Sequence, residues 1–150
     1  MLCILARARY NVPMNTDCLF CKIIAGEIPS AKVYEDEHSF AFLDLHPVNI
    51  GHTLVVPKAH HVNLYETPDE TLSHIAVVVK KLSIAIKTAV NAQGINIEMN
   101  NDPVAGQVIF HTHIHIIPRF SGDGFEHWQG ARDYAEGEAE TVAAKIKMRL

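Results

Sequence analysis

Cysteine is scarce in this 150-residue chain: there are three, and an odd number does not suggest a disulfide framework. No apolar run approaches the ~20 residues that a membrane-spanning helix needs. Basic charge is not in excess either. Thirteen Lys and Arg against 17 Asp and Glu leave a net charge of −4, which argues against general nucleic-acid binding, since that wants a basic face. Internal repeats and low-complexity tracts are missing. What these absences leave is one ordinary globular domain, large enough to bury a core, in a reducing, cytoplasmic setting. Residues 1–16 show no usable periodicity, and Asn11, Pro13 and Asn15 break any element. Met1 to Arg9 is too short for a signal h-region, so the expectation is a disordered tail, or an upstream start ahead of a protein beginning near Met14. The domain then spans residues 17–150.

Histidine is the residue in surplus, with ten in the chain. Three of them, His111, His113 and His115, stand at every second position in Gly106-Gln107-Val108-Ile109-Phe110-His111-Thr112-His113-Ile114-His115-Ile116-Ile117-Pro118-Arg119. A strand sends successive side chains to opposite faces, so this spacing puts the three imidazoles on one face and Thr112, Ile114 and Ile116 on the other. Buried imidazoles need partners and repel when protonated, so such a row is costly unless it is used. Two readings fit: a metal clamp, or a nucleophilic histidine flanked by phosphate-binding ones. His61, His74 and His127 carry no signal beyond that of solvated positions, and Cys3 has no role. Trp128 reads as a rim or dimer contact, or equally as a surface anchor.

The surrounding pattern is α+β with a mainly antiparallel sheet of five strands. Asp17 reads as the N-cap of a short helix over Cys18 to Ala25, stopped by Gly26. Lys32–Glu35 and Ser39–Leu43 form a hairpin across Asp36-Glu37-His38, and Thr53 to Val56 is a buried strand closed by Pro57. Thr67-Pro68-Asp69-Glu70 reads as a capping box opening one long helix, whose stripe of Leu72, Ile75, Val79, Leu82, Ile86 and Val90 faces the sheet. Ile95 to Met99 alternates as a strand, and Glu138 to Leu150 is amphipathic enough for a terminal helix.

Cys18-Leu19-Phe20-Cys21 is a second constellation. Cys-x-x-Cys is half of a zinc site or a redox pair, or else two free thiols packing a helix. A redox pair normally opens a helix in a βαβ unit, and nothing here resembles one. Zinc needs two further ligands.

His111-Thr112-His113-Ile114-His115-Ile116-Ile117 resembles the His-φ-His-φ-His-φ-φ signature of the histidine triad (HIT) superfamily, Thr112 being a mild departure from the apolar filler. Similar in kind and order are Phe20-Cys21-Lys22-Ile23-Ile24, Ala41-Phe42-Leu43-Asp44, Gly51-His52-Thr53-Leu54-Val55-Val56-Pro57-Lys58 and Ala105-Gly106-Gln107. The resemblance implies a nucleotide hydrolase or nucleotidyl transferase acting at the α-phosphorus of a purine nucleotide. His113 attacks to form a nucleotidyl-histidine intermediate, His115 donates to the phosphate or the leaving-group oxygen, and His52 supports the triad from the neighbouring strand. Asp44 matches the ribose-binding position, with Leu45 and Phe42 as walls for the base, and Asn100 matches an amide that contacts phosphate or ribose. The backbone of Gly106, Gln107 and Val108 approaches the phosphate; many members carry Ser or Thr where this chain has Val108.

By the same resemblance His60 and His111 complete a structural zinc site with Cys18 and Cys21, and the protein forms a homodimer in which two sheets join. Two branches compete for the substrate. The Cys-x-x-Cys block is similar to small bacterial-type proteins grouped with nucleoside phosphoramidases. Pro103-Val104-Ala105-Gly106-Gln107 with Pro118-Arg119 is similar to dinucleoside polyphosphate hydrolases. Rivals of other classes are a non-catalytic metal- or nucleotide-binding adaptor, and a His₃ metalloenzyme of cupin type, which the long central helix disfavours.

Overall fold

The computed structural model describes residues 15–127 and 130–150; the tail with Cys3, and Trp128, lie outside the described residues. The elements run α1 (Leu19–Ile24), β1 (Lys32–Glu35), β2 (Ser39–Leu43), β3 (Thr53–Pro57), α2 (Asp69–Ala89), β4 (Gly94–Glu98), β5 (Ile114–Arg119) and α3 (Glu138–Lys147). One sheet in the order β1-β2-β3-β5-β4 is antiparallel throughout. The fold is α+β, as the alternation of patterns implies. No helix among the described residues is long and apolar enough to cross a membrane.

The inner strands β2 and β3 bury both faces, and the period of two sorts their residues between two cores. Phe40, Phe42, Leu54 and Val56 meet α1 through Phe20, Ile23 and Ile24. Ala41, Val55 and Ile116 meet α2 through Ile75, Val78, Val79, Leu82 and Ile86. Each of these Val, Leu, Ile and Phe side chains taken fully out of water contributes roughly 1.5–3 kcal/mol. Leu54 pairs with His115, so His115 belongs to the α1 face, and Val55 pairs with Ile114 on the α2 face. The long helix thus packs behind the sheet and leaves the other side for the histidines.

Three sequence readings need correction. The last strand begins at Ile114, not ahead of His111. Carrying the β3–β5 register onward sets Pro57 opposite Thr112. Pro57 has no N–H to give, and its carbonyl accepts from the His111 ring at 2.8 Å, so the ladder stops there. The Thr112 N–H goes instead to His61 O at 2.7 Å. Alternation survives all the same: Thr112 turns back to Thr67, with the two hydroxyls 2.8 Å apart and buried.

That contact also explains why the capping box does not form. Thr67 Oγ1 is committed to Asn63 O at 2.7 Å and to Thr112, and α2 starts after Pro68 without a side-chain cap. Likewise α1 has Cys18 at its N-cap position with no side-chain cap bond, while Asp17 stays exposed. Helix α3 buries none of its residues.

Candidate active and metal site

The histidine row divides into two environments. At its first end, His111 is fully buried and donates Nε2–H to Pro57 O at 2.8 Å, which leaves Nδ1 as a lone pair. That nitrogen lies 3.4 Å from Cys18 Sγ and 3.6 Å from Cys21 Sγ, and His60 Nδ1 lies 3.5 Å from Cys21 Sγ. All four donor atoms fall within 4.8 Å of one another. Tetrahedral bonds of about 2.3 Å to sulfur and about 2.0–2.1 Å to nitrogen would separate a sulfur from a nitrogen by roughly 3.5–3.6 Å. The residues present therefore fit a four-coordinate metal, and the Pro57 carbonyl supplies the outer contact that orients a histidine ligand. Without a metal the two thiols share a proton: Cys21 donating to Cys18, with help from His111, pulls the Cys18 thiol far below its ordinary range. Cys21, facing Cys18 and buried, is pushed up.

At the second position the roles of the ring nitrogens reverse. His113 donates Nδ1–H to His111 O at 2.6 Å, so its lone pair sits on Nε2. Burial, above all, holds its pKa below the ordinary imidazole range, against the pull of the His111 carbonyl. The ring is therefore neutral near pH 7, as a nucleophile requires. Phe20 stands edge-on to both rings, its centroid 5.9 Å from His111 and 5.1 Å from His113. This contact of α1 with both rings had no signal in the sequence.

His115, 4.9 Å from His113 between ring centroids, forms a relay with His52. The Val48 N–H donates to His52 Nδ1 at 3.1 Å, which puts the His52 proton on Nε2. His52 Nε2–H then donates to His115 Nδ1 at 2.9 Å, leaving His115 with Nε2–H as an outward donor. Burial and then the neighbouring His113 and His52 lower the His115 pKa to about 4, and burial lowers that of His52. Asp44 also lies near these rings, with Oδ2 3.7 Å from His52 Nε2. Asp44, His52 and His115 are not read as a second metal cluster. Two nitrogens on one tetrahedral metal stand roughly 3.3 Å apart, and 2.9 Å is a hydrogen bond.

The remaining sequence candidates fall around this pair of sites. Asp44 is half-buried, its Oδ1 accepting from His46 N–H at 2.8 Å, and Leu45 is exposed. Phe42, proposed with Leu45 as a wall for a base, is instead core: it packs edge-on against Phe20 at 5.5 Å and is buried. Gly106 has φ +91, and a Cβ there would meet Asn100 Nδ2 at 3.6 Å, so glycine and amide side chain stand together. The expected row of free amides at Gly106, Gln107 and Val108 is reduced. Gly106 and Gln107 donate to Pro103 O and Asp102 O at 3.0 and 3.1 Å, while among the described residues none accepts from Val108 N–H. Gln107 braces the turn with its buried side chain, donating to Val62 O at 2.6 Å and accepting from Asp102 N–H at 2.9 Å. His74, read as merely solvated, is paired with Asp36 at 2.9 Å.

The HIT domain family matches residues 25–122. Over 137 residues the chain is 49% identical to "Protein hit" of Bacillus subtilis, a match that takes in 89% of this chain and 94% of that protein. It is 43% identical over 109 residues to an adenosine 5'-monophosphoramidase of Candida albicans, covering 70% of this chain and 72% of the relative. Among solved structures it is similar to a Zn-bound histidine triad family protein from Mycobacterium smegmatis, with a TM-score of 0.70, 34% identity, and 89% and 98% of the two chains covered. With a fold that agrees with these matches, the chain belongs to the HIT family.

Proposed function

We propose that this protein cleaves purine nucleotides at the α-phosphorus through a nucleotidyl-histidine intermediate, with nucleoside phosphoramidates as its substrates. The observation that carries this reading is the opposed tautomers: His113 presents a bare Nε2 and His115 presents an Nε2–H. The name of the Candida albicans relative supports the phosphoramidate choice. In the first step His113 Nε2 forms a bond to phosphorus. The bond to the leaving atom breaks with its electron pair on that atom, which His115 Nε2–H holds and which takes up a proton from solvent. Water then attacks the same phosphorus, the N–P pair returns to His113, and the proton of the water is released. Val108 N–H, unengaged among the described residues, offers a donor to the phosphate; losing one such donor costs on the order of 10²–10³ in rate.

The reading includes a structural zinc held by Cys18, Cys21, His60 and His111, supported by a donor set of soft thiolates and imidazoles at tetrahedral separations. When bound, a metal with four protein ligands has no open position, so it would tie α1 to the catalytic segment and do no chemistry on the substrate. Asp44 and Asn100 serve the nucleoside and the phosphate. A second copy of the chain completes the protein: β4 is the edge of the sheet, and Val77 and Ile84 on α2 are exposed. A reducing, cytoplasmic setting suits the two free thiols.

The test is to mix the protein with adenosine phosphoramidate, quench, and look for an adenylyl adduct by intact mass. An adduct that maps to His113, with AMP released on completion, supports the reading. AMP release that survives in His113→Ala, or no turnover by the metal-loaded wild type, overturns it.

A further inference from the structure

Residues 44–52 join β2 to β3 and carry Asp44, Leu45 and, at the far end, His52. Leu45, Val48 and Ile50 are all exposed, so apolar packing does little to hold this loop in place. A polar latch holds it instead. Asn49 Nδ2 donates at 2.8 Å both to Pro118 O on β5 and to Asp123 Oδ2. Asp123 is the hub of that latch, its side chain 10% exposed. It accepts from Phe120 N–H at 3.0 Å, from Phe125 N–H at 3.0 Å and from Arg119 Nη2 at 2.8 Å. The same stretch of loop touches the catalytic relay twice. Asn49 O accepts from His52 N–H at 3.1 Å, and the preceding residue, Val48, donates its N–H to His52 Nδ1.

We propose that Asn49 and Asp123 are positioning residues: by fixing the backbone at Val48 they hold His52 in its Nε2–H tautomer, and so keep the His115 proton on the nitrogen that faces the leaving group. The logic is forced by the ring chemistry. A neutral imidazole has one donor and one acceptor, so the amide on His52 Nδ1 decides the state of His52 Nε2, which decides that of His115. Released from Val48, His52 is free to carry its proton on Nδ1. His115 then donates back from its own Nδ1 and turns a bare Nε2 toward the leaving atom, where a lone pair cannot hold the electron pair that the departing amine takes with it. Pro118 lies on the same strand as His115, so the latch ties loop and relay to one rigid element.

This inference rests on the nucleotidyl-transfer reading, and leaving-group dependence separates the two. Asn49→Ala and Asp123→Ala are assayed with an N-alkyl adenosine phosphoramidate, whose amine needs a donor, and with the p-nitrophenyl ester of AMP, which does not. The expected result is a fall of about 10²-fold in kcat for the amidate, with the ester within about threefold of wild type. Equal losses on both substrates mark a merely structural latch and overturn the inference, as does no loss on either. Asp123→Asn, which keeps the shape and weakens the acceptor, stands in if the alanine variant does not fold. If wild type turns over neither substrate, the function reading fails by itself. The imidazole ¹⁵N spectrum of substrate-free protein then decides: mixed His52 and His115 tautomers in the variants support the latch, and wild-type tautomers overturn it.

Discussion

His111 and His113 are two residues apart, share a face and touch the same Phe20 ring, yet they are set up for different work. The difference lies in which nitrogen a backbone carbonyl takes. Pro57 O takes Nε2–H of His111 and turns Nδ1 toward the thiols of Cys18 and Cys21; His111 O takes Nδ1–H of His113 and leaves the lone pair on Nε2. A row of like residues is thus partitioned by two carbonyl oxygens into an end whose lone pair meets the thiols, the proposed structural end, and an end with a lone pair on Nε2, the proposed reactive end. The two ends meet at His111, whose ring belongs to the first and whose carbonyl serves the second.

The sharpest break of this comparison is functional loss at one end without structural loss. His113→Ala is expected to lower nucleotidyl transfer by on the order of 10³-fold or more, since the neighbouring His115 offers an Nε2–H and no lone pair there, while the melting temperature changes little. Activity within tenfold of wild type contradicts the division. The converse break is at the metal end. Cys18→Ser with Cys21→Ser, or removal of the metal by a strong chelator, is expected to lower Tm by about 10 °C or more while leaving residual turnover. A metal assay below a tenth of an equivalent in freshly purified protein removes the basis for this expectation.

Much of this was legible beforehand. The hairpin, β3, β4 and α2 follow from alternation and helical spacing, because the inner strands sort their apolar residues between two covered faces and α2 keeps its apolar stripe on one side. The alternation of the histidines likewise sends His111, His113 and His115 to the face away from α2, as spacing alone requires. What spacing could not reveal is the assignment of nitrogens, since it depends on Pro57 O, His111 O and Val48 N–H, groups that every sequence possesses. The strand end was hidden for a related reason: Pro57 stops the ladder only because β3 is the strand paired with β5. Phe42, an aromatic beside Asp44, reads equally as rim or as core, and only the packing of Phe20 decides it. Thr67 has the pattern of a cap, and only its buried partner Thr112, 45 residues away, takes it out of that role.

Acidity sharpens the comparison more gently. His115 has a folded pKa of about 4, below its ordinary 6.5, so the unfolded chain binds more protons between those values. Its contribution is complete above pH 6.5 and is lost as the pH falls toward 4, at up to about 1.4 kcal/mol per pH unit. Urea midpoints at pH 7 and pH 5 should differ more for wild type than for His115→Asn; equal differences remove His115 from the account. The smallest effect is expected at Thr112→Val, which deletes the hydroxyl pair with Thr67 while Thr67 keeps Asn63 O. About 1 kcal/mol of stability should go, read from denaturant midpoints, with turnover unchanged.

The central claim is tested most directly by the imidazole ¹⁵N spectrum of the metal-loaded protein at pH 7, with His111 and His113 assigned. The account predicts that His111 carries its proton on Nε2 with Nδ1 shifted by metal, and that His113 carries its proton on Nδ1 with Nε2 unprotonated. The same tautomer on both rings, or a proton on His113 Nε2, contradicts it.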